Sequence, residues 1–188
     1  MAVNTVPVQL RFITVEEYDQ MVQAGVFPED DRIELIEGNI ITMSPIGAAH
    51  AGHVNRLLRL LAPWAGQVLI TVQNPIRLPG SEPQPDFALL KPRVDDYAGA
   101  HPTARDVLLV VEVSDTSVDY DRSVKIPLYG RNGIPEAWLI DLEHQLVEVY
   151  RGPSAAGYRE KHTFGPGEQL LVQALPDFSL SVADILGV

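Results

Sequence analysis

The carboxylate of Glu112 follows five consecutive branched aliphatic residues, 107–111, which predict a strand buried on both faces of a sheet. A charge at the end of such a strand is costly unless a metal ion, a basic partner or a shifted pKa compensates it. A second carboxylate, Asp86, stands just before another apolar stretch, and Lys125 follows on a predicted helix. Two acids and a lysine on adjoining elements indicate metal-dependent hydrolysis.

Hydrolysis of a phosphodiester requires a hard cation that polarises the phosphoryl oxygen and activates water. Mg²⁺ prefers oxygen ligands and keeps several waters, so Asp86 and Glu112 suffice as its carboxylates, and Mn²⁺ is the alternative ion. The ammonium group of Lys125 would stabilise the developing negative charge or orient the attacking water. On the predicted helix, Asp121, Lys125 and Tyr129 are spaced four residues apart and share one face.

The elements that must position these groups are a mixture of helices and strands. Strand 107–114, helix 119–131 and strand 134–142 predict a βαβ crossover. The other predicted helices are 14–24, 48–62 and 181–186, and the other predicted strands lie within 33–43, 67–78, 86–91, 146–151, 157–164 and 169–173. This order predicts an α/β or α+β fold with a mixed sheet flanked by helices.

Short local signals define the first elements. Thr14 and Glu17 match a capping box, and Gly25 stands where a helix should end. Residues 37–39, Glu-Gly-Asn, predict the turn of a hairpin. The predicted apolar stripe of helix 48–62, which Pro63 closes, is Val54, Leu57, Leu58 and Leu61.

Composition limits the class of protein. The chain has 188 residues, of which 46% are hydrophobic, and this predicts one domain over 1–188. There is no cysteine, so disulfides, thiolate metal sites and cysteine nucleophiles are excluded. Residues 1–7 lack the features of a signal peptide, and no apolar run reaches the ~20 residues of a membrane helix. We therefore expect a cytoplasmic protein without a membrane partner.

The net charge of −11, from 14 basic and 25 acidic residues, argues against broad binding of polyanions. It leaves room for a local basic groove. The residues that would form one are Arg56, Arg59, Lys91, Arg93, Arg122, Lys125 and Arg131. In a nuclease these few basic side chains should gather around the two acids.

Several motifs, in order along the chain, resemble those of a known family. Pro85-Asp86 followed by Glu112-Val113-Ser114 is similar to the PD-(D/E)XK motif of the restriction-endonuclease-like superfamily. More narrowly, the chain resembles a prokaryotic family of putative restriction endonucleases that were long known as domains of unknown function. The matching stretches are 34–38, the helix that opens at His50, 84–86, 111–114, 121–129 and 133–141, which together cover most of residues 14–151.

The resemblance implies a restriction-endonuclease-like core at about 46–151 with an added N-terminal hairpin and added C-terminal strands. It also implies that Asp86 and Glu112 bind the metal and that the carbonyl of Val113 completes its shell. The chain departs from the motif at Ser114, where the superfamily has lysine. In this family the lysine has moved to the following helix, which points to Lys125, because the start of that helix must return near the end of strand 107–114.

Four further residues are candidates for accessory roles, and each has an ordinary structural explanation. One interpretation of His50 is that it binds substrate or transfers a proton, and the other is that it is a neutral histidine in the core. Glu34 would be a third acid near the metal or a solvated strand residue. Gln84 would orient water or cap its strand, and Tyr129 would touch substrate or pack in the core.

The three central residues have ordinary explanations as well. Glu112 would be a surface carboxylate just past the buried strand, and Lys125 a solvated helix residue paired with Asp121. Asp86 would be a turn residue like the one in Pro176-Asp177. The apolar residues on both sides of Glu112 and the apolar stretch after Asp86 favour the functional interpretation.

We therefore expect a Mg²⁺- or Mn²⁺-dependent endonuclease that cleaves DNA by in-line attack of metal-activated water. We expect a homodimer, because paired sites cut two strands most easily. One alternative is a catalytically inactive interaction module that keeps the nuclease fold, which the net charge and Ser114 favour. Another is a metal-dependent hydrolase of a small phosphate ester, which a closed acidic pocket would favour.

Overall fold

The computed structural model describes residues 10–28 and 30–188. Its helices are α1 (Val15–Gln23), α2 (Ala48–Leu61), α3 (Val118–Tyr120), α4 (Ile126–Arg131) and α5 (Val182–Leu186), with a 3₁₀ turn at Ala62–Trp64 and a π-helical turn at Asp121–Lys125. Its strands are β1 (Ile33–Ile36), β2 (Asn39–Thr42), β3 (Leu69–Val72), β4 (Phe87–Leu90), β5 (Val107–Ser114), β6 (Glu136–Asp141), β7 (Leu146–Ser154), β8 (Gly157–Phe164), β9 (Gln169–Val172) and β10 (Leu175–Ser181).

A six-stranded mixed sheet organises these elements. Its strand order is β3-β4-β5-β6-β7-β8, and the hairpin β1-β2 and the pair β9-β10 form two small separate sheets. Neighbouring strands of the main sheet are antiparallel except β5 and β6, which are parallel. The predicted α+β class, with a mixed sheet, an added N-terminal hairpin and added C-terminal strands, is confirmed.

Strand β5 is buried on both faces, as its apolar sequence predicts. Its side chains alternate between two parts of the hydrophobic core because successive strand residues point to opposite faces. Val111 and Val113 belong to the core that includes α2 and α5, whereas Val110 belongs to the core that includes α4. Glu112 and Ser114 therefore lie on the α4 face of the sheet.

The N-terminal helix and hairpin follow the local signals of the sequence. Helix α1 begins with the capping box of Thr14 and Glu17 and ends before Gly25. In the hairpin, Glu37 and Gly38 form a two-residue turn with φ values of 48° and 78°, as a type I′ turn requires.

Helix α2 agrees with the prediction except at one core position. Val54, Leu57 and Leu61 are buried, whereas Leu58 is 39% exposed. Leu58 directly follows Leu57 and therefore lies about 100° further around the helix, outside the buried stripe. The helix ends at Leu61, and Pro63 lies in the 3₁₀ turn that continues it.

The strand predicted over 67–78 is much shorter in the structure. β3 ends at Val72, and the next residue, Gln73, turns the chain with a left-handed φ of 53°. Pro75 also favours an early end, because proline cannot donate to the hydrogen-bond ladder of a sheet. The chain then turns back through residues 73–86 and places Asp86 directly before β4.

The crossover from β5 to β6 contains a feature that the sequence prediction missed. The two strands are parallel, as expected, but the helix predicted over 119–131 is interrupted by the π-helical turn. In this turn the N–H of Ile126 donates to the carbonyl of Asp121. Pro127 explains the interruption, because it has no N–H and its ring would clash with the carbonyl four residues earlier in a regular α-helix. The wider turn before Pro127 relieves that clash.

The C-terminal region contains a strand that the sequence did not predict. β10 pairs antiparallel with the predicted strand β9 and leads into the predicted helix α5. Pro176 and Asp177 near its start both disfavour strands, which is why local propensity misses it. Tertiary packing forms it instead, because Leu175, Phe178 and Leu180 are buried in the core.

In the part of the chain that the structure describes, no helix is long and apolar enough to cross a membrane. The expectation that residues 1–7 are no signal peptide lies outside the described residues.

Candidate active site

Strands β4 and β5 bring the two predicted acids side by side. Phe87 lies opposite Val111 in the antiparallel pair, so Asp86 lies next to the end of β5. The backbone N–H of Val113 donates to Asp86 Oδ2 at 2.9 Å. Asp86 is 8% exposed and Glu112 is 3% exposed, and both line the same cavity. Glu112 is therefore not a surface carboxylate.

Glu112 receives two contacts at one carboxylate oxygen. Lys125 Nζ lies 2.8 Å from Oε1, and the hydroxyl of Tyr129 donates to Oε1 at 2.5 Å. Tyr129 is fully buried in the core behind Glu112. Its hydroxyl therefore fixes the orientation of the Glu112 carboxylate.

Lys125 lies inside the fold, although the sequence also allowed a solvated helix position. It is 4% exposed, stands at the end of the π-helical turn, and places its ammonium group 3.4 Å from Glu34 Oε2 as well as next to Glu112. Its i,i+4 neighbour, Asp121, accepts a hydrogen bond from the hydroxyl of Ser114 at 2.6 Å. The structure thus brings Asp86, Glu112 and Lys125 together.

His50 and Gln73 hold Asp86 from the cavity side. His50, in the first turn of α2, donates from Nε2 to Asp86 Oδ1 at 2.8 Å, and its side chain is 19% exposed. Gln73 donates to the same oxygen at 3.2 Å. His50 is therefore no isolated core histidine. The sequence did not predict a role for Gln73. Pro75, two residues later, could have indicated that the strand ends near Gln73.

Glu34 on β1 belongs to the same buried network and is not a solvated strand residue. It is 1% exposed, and its Oε2 accepts the backbone N–H of Gln84 at 3.2 Å. The side chain of Gln84 donates to the carbonyl of Ile33 at 3.0 Å, so it ties the hairpin to the chain before β4. The hydroxyl of Tyr120, which sequence reasoning did not single out, lies 3.5 Å from Glu34 Oε1.

Most of these side chains, but not Gln73, Ser114 and Tyr129, line a cavity of about 520 Å³. The carboxylates that line it are Glu34, Asp86, Glu112, Asp115 and Asp121, and the basic side chains are Arg32, His50 and Lys125. Such an excess of negative charge repels a phosphate unless a cation is bound. A larger and more open depression of about 930 Å³ lies elsewhere, and no predicted site residue lines it.

Comparison with known proteins identifies the family. A family model described as "Uma2: Putative restriction endonuclease" matches residues 15–183. The chain belongs to the Uma2 family. Among solved structures, it resembles the crystal structure of a putative nuclease belonging to DUF820 from Anabaena variabilis ATCC 29413, at 20% sequence identity and a TM-score of 0.75. That match covers 93% of this chain and 98% of the other and establishes a shared fold. None of the curated proteins matches the chain.

The match confirms the predicted family, while the roles of the motif residues stay predictions. In this Uma2 chain, Glu112 and Ser114 point to the same face of β5, and the π-helical turn covers that face. Lys125 reaches Glu112 from this turn. The ammonium group therefore lies beside the second acid of the motif although a different element supplies it. Its part in catalysis stays a prediction.

Burial and charge shift the ionisation of Glu112 and Lys125. Burial raises the pKa of Glu112 to about 8, although the charge of Lys125 opposes this shift. Burial by itself would lower the pKa of Lys125, but Glu112 and Glu34 outweigh it and hold that pKa above its usual value. Lys125 thus stays protonated at neutral pH, and burial makes Glu112 a weaker acid than an exposed glutamate.

The pKa of Asp86 is shifted in the opposite direction to that of Glu112. Burial by itself would raise its pKa, but the hydrogen bonds from His50 and from the N–H of Val113 outweigh it, so the pKa of Asp86 lies below its usual value. The hydrogen bond to Asp86 raises the pKa of His50. Asp86 is therefore the permanently ionised acid of the site.

The donor set of the Uma2 site fits a hard divalent cation. Mg²⁺ takes oxygen ligands and needs few carboxylates, since it keeps several of its waters. Within residues 10–28 and 30–188, no three His, Asp or Glu side chains are grouped so as to hold a metal ion. Glu34, a candidate third acid, contacts Lys125 instead. Asp86, Glu112 and the carbonyl of Val113 stay the predicted ligands.

Proposed function

We propose that this Uma2 protein is a divalent-metal-dependent endonuclease that hydrolyses phosphodiester bonds of DNA. The observation that carries the proposal is the 2.8 Å contact between Lys125 and Glu112 in a cavity that Asp86 also lines. Two carboxylates beside an ammonium group are the side chains that the PD-(D/E)XK motif supplies. The family description, which names restriction endonucleases, favours DNA as the substrate.

The three central residues have separate roles in this proposal. Asp86 and Glu112, with the carbonyl of Val113, would hold Mg²⁺ or Mn²⁺. Such an ion polarises the phosphoryl oxygen and lowers the pKa of water. Lys125 supplies a fixed positive charge for the negative charge that develops on the phosphate in the transition state. Because Glu112 and Glu34 already hold Lys125 in place, little reorganisation is needed when that charge forms.

The residues around the acids orient them. Tyr129 occupies Glu112 Oε1, so Oε2 remains for the cation. Val113 and Gln73 donate to the two oxygens of Asp86 and restrain its carboxylate. His50, whose pKa is raised by its hydrogen bond to Asp86, lies on the wall of the cavity where a substrate phosphate would lie.

The distribution of basic residues favours a second candidate function. Of the arginines and lysines within residues 10–28 and 30–188, only Arg32 and Lys125 line the cavity, so the basic side chains do not gather around the two acids as they should in a nuclease. Several others pair with carboxylates away from the cavity: Arg77 with Asp19 and Glu82, Arg93 with Asp95, Arg122 with Asp141 and Glu148, Arg131 with Glu37, and Arg151 with Glu136. An acidic cavity with few cations suits a small phosphate ester, so hydrolysis of such a substrate is the second candidate.

The test compares DNA and bis(p-nitrophenyl) phosphate as substrates in Mg²⁺ and in Mn²⁺. The variants are Asp86→Asn and, as a matched control, Asp177→Asn. Asp177 also follows a proline, but it is exposed on β10, away from the site. DNA cleavage that requires the metal, that Asp86→Asn loses and that Asp177→Asn retains would support the nuclease.

The other outcomes separate the alternatives. Hydrolysis of the small diester without DNA cleavage would favour the second candidate. No hydrolysis of either substrate in either metal would support the inactive interaction module, against which the Lys125–Glu112 contact argues. Homodimerisation stays a prediction, which sedimentation velocity with and without DNA would check.

A further inference from the structure

We propose that Arg122 is a positioning residue that holds the π-helical turn, and with it Lys125, in place on the sheet. Because the role assigned to Lys125 belongs to the proposed nuclease reaction, this inference rests on that function. Arg122 and Lys125 lie on the same π-helical turn. Lys125 lines the cavity, whereas the guanidinium of Arg122 contacts Asp141 at the end of β6 and Glu148 on β7.

Arg122 binds two buried carboxylates on neighbouring strands. Its Nη2 lies 3.0 Å from Asp141 Oδ2 at the end of β6, and its Nε lies 3.1 Å from Glu148 Oε2 on β7. Asp141 is 1% exposed and Glu148 is 4% exposed. A guanidinium offers several N–H donors in one rigid plane, so it fixes direction as well as charge. These contacts therefore restrain the position of the turn relative to the sheet.

Asp121, the residue before Arg122, connects the turn to a third strand. Its Oδ2 accepts hydrogen bonds of 2.6 Å from the hydroxyl of Ser114 on β5 and from that of Ser117. Two consecutive residues thus tie the turn to β5, β6 and β7, the strands beneath it. A π-helical turn is rare and needs such support to persist within a helix.

The position of Lys125 depends on this geometry. Pro127 disfavours a regular α-helix at this point, so a turn that lost its contacts with the sheet would shift or open and would not tighten. Lys125 would then no longer point at Glu112. The fold would survive, because β5, β6 and their pairing do not depend on the shape of the turn.

The chain offers a matched control for the removal of Arg122. Glu148 also pairs with Lys161 of β8, at 2.6 Å, and Asp141 also contacts His144 at 3.0 Å. Each buried acid therefore keeps one partner when Arg122 is replaced. Lys161→Met removes a cation from the same Glu148 without touching the π-helical turn. Arg122→Met removes a cation from Glu148 and also removes the contacts that hold the π-helical turn on the sheet.

The first measurement reads the position of Lys125 without any substrate. The chain has three lysines, Lys91, Lys125 and Lys161, so acylation by an amine-reactive ester can be followed at each one by peptide mass spectrometry. In the wild type, buried Lys125 should react far more slowly than exposed Lys91. Arg122→Met should raise the rate at Lys125 by roughly tenfold or more, since a loosened turn opens more often. Lys161→Met should leave that rate unchanged.

The second measurement is turnover on DNA. Arg122→Met should lower kcat by about 10²-fold, a typical loss for a misplaced catalytic group, with KM within a few-fold. Arg122→Lys keeps the positive charge but lacks the planar guanidinium with its several N–H donors. It should therefore recover part of the lost kcat. A merely structural role for the buried cluster would make Lys161→Met as harmful as Arg122→Met.

Each outcome is decisive. Wild-type protection of Lys125 in a folded Arg122→Met variant would overturn the proposal, and so would equal effects of Arg122→Met and Lys161→Met. If Arg122→Met does not fold, Arg122→Lys replaces it, and unchanged labelling and turnover in that variant would refute the positioning role. If the wild type cleaves no DNA, the proposed nuclease function fails, but the labelling still decides what holds Lys125.

Discussion

Ser114 donates a hydrogen bond of 2.6 Å to Asp121, at the strand position where the superfamily motif has lysine. Ser114 is fully buried, and its hydroxyl donates to a residue of the π-helical turn. That same turn carries the lysine that reaches Glu112. The serine on the strand and the lysine on the turn are therefore two parts of one arrangement.

Metal binding should depend on Asp86 and Glu112 together. Titration calorimetry with Mn²⁺ should show saturable binding that the Asp86→Asn, Glu112→Gln double variant loses, because the amides lack the negative charge with which the two carboxylates attract the cation. Asp177→Asn, the other Pro-Asp carboxylate, should bind like the wild type. Undiminished binding in the double variant would place the metal elsewhere.

Lys125 should matter to turnover more than to metal affinity. A protonated amine cannot be a metal ligand, and its proposed task concerns the transition state. Lys125→Ala should leave Mn²⁺ affinity within a few-fold and lower kcat for DNA cleavage by roughly 10²-fold or more, a typical loss for one electrostatic group. Lys91→Ala, which removes an exposed lysine, is the control. Full activity of Lys125→Ala would return this lysine to a structural role.

Without divalent metal, Glu112 should make the protein less stable as the pH rises. The folded protein keeps the Glu112 proton up to a pKa of about 8, whereas the unfolded chain releases it near 4.5. Between these values the folded state binds more protons, so its stability falls with increasing pH. Glu112→Gln cannot titrate, and its melting temperature relative to the wild type should therefore rise across this window in EDTA. A relative melting temperature that falls with pH would mean that Glu112 is ionised throughout.

Glu148 should have the opposite effect, on the acid side. Burial disfavours its charge, but hydrogen bonds from Arg122 and Lys161 outweigh burial and hold the pKa of Glu148 below its ordinary value of 4.5. Its contribution to stability is therefore present above that value and lost as the pH falls through the lower folded pKa.

Thermal unfolding of Glu148→Gln checks this prediction. The variant should melt below the wild type at neutral pH, and the difference should narrow in acid. Glu143→Gln, a change at an exposed glutamate in the turn before β7, should follow the wild type at every pH. A difference that stays constant into acid would show that Glu148 contributes through packing and not through its charge.

The sequence by itself determined the elements whose causes are local. The capping box at Thr14, the hairpin turn at Glu37 and Gly38, and the buried strand that contains Glu112 all depend on residues that are close in the chain. The motif resemblance, now confirmed at the level of the family, also selected Asp86, Glu112 and Lys125. The residue types and their order along the chain were sufficient to select these three residues.

Only the tertiary structure decided which groups meet. The contacts of His50 with Asp86 and of Tyr129 with Glu112 join residues far apart in sequence, and no local pattern encodes them. β10 likewise exists because its apolar side chains are buried, against its local propensity.

The π-helical turn depends on both the local sequence and the tertiary structure. Pro127 is visible in the sequence, but a proline can end, kink or widen a helix. The choice among these depends on contacts with strands elsewhere in the fold, such as that between Arg122 and Asp141. The sequence therefore determined that a lysine follows the motif, and packing against the sheet decided that this lysine reaches Glu112.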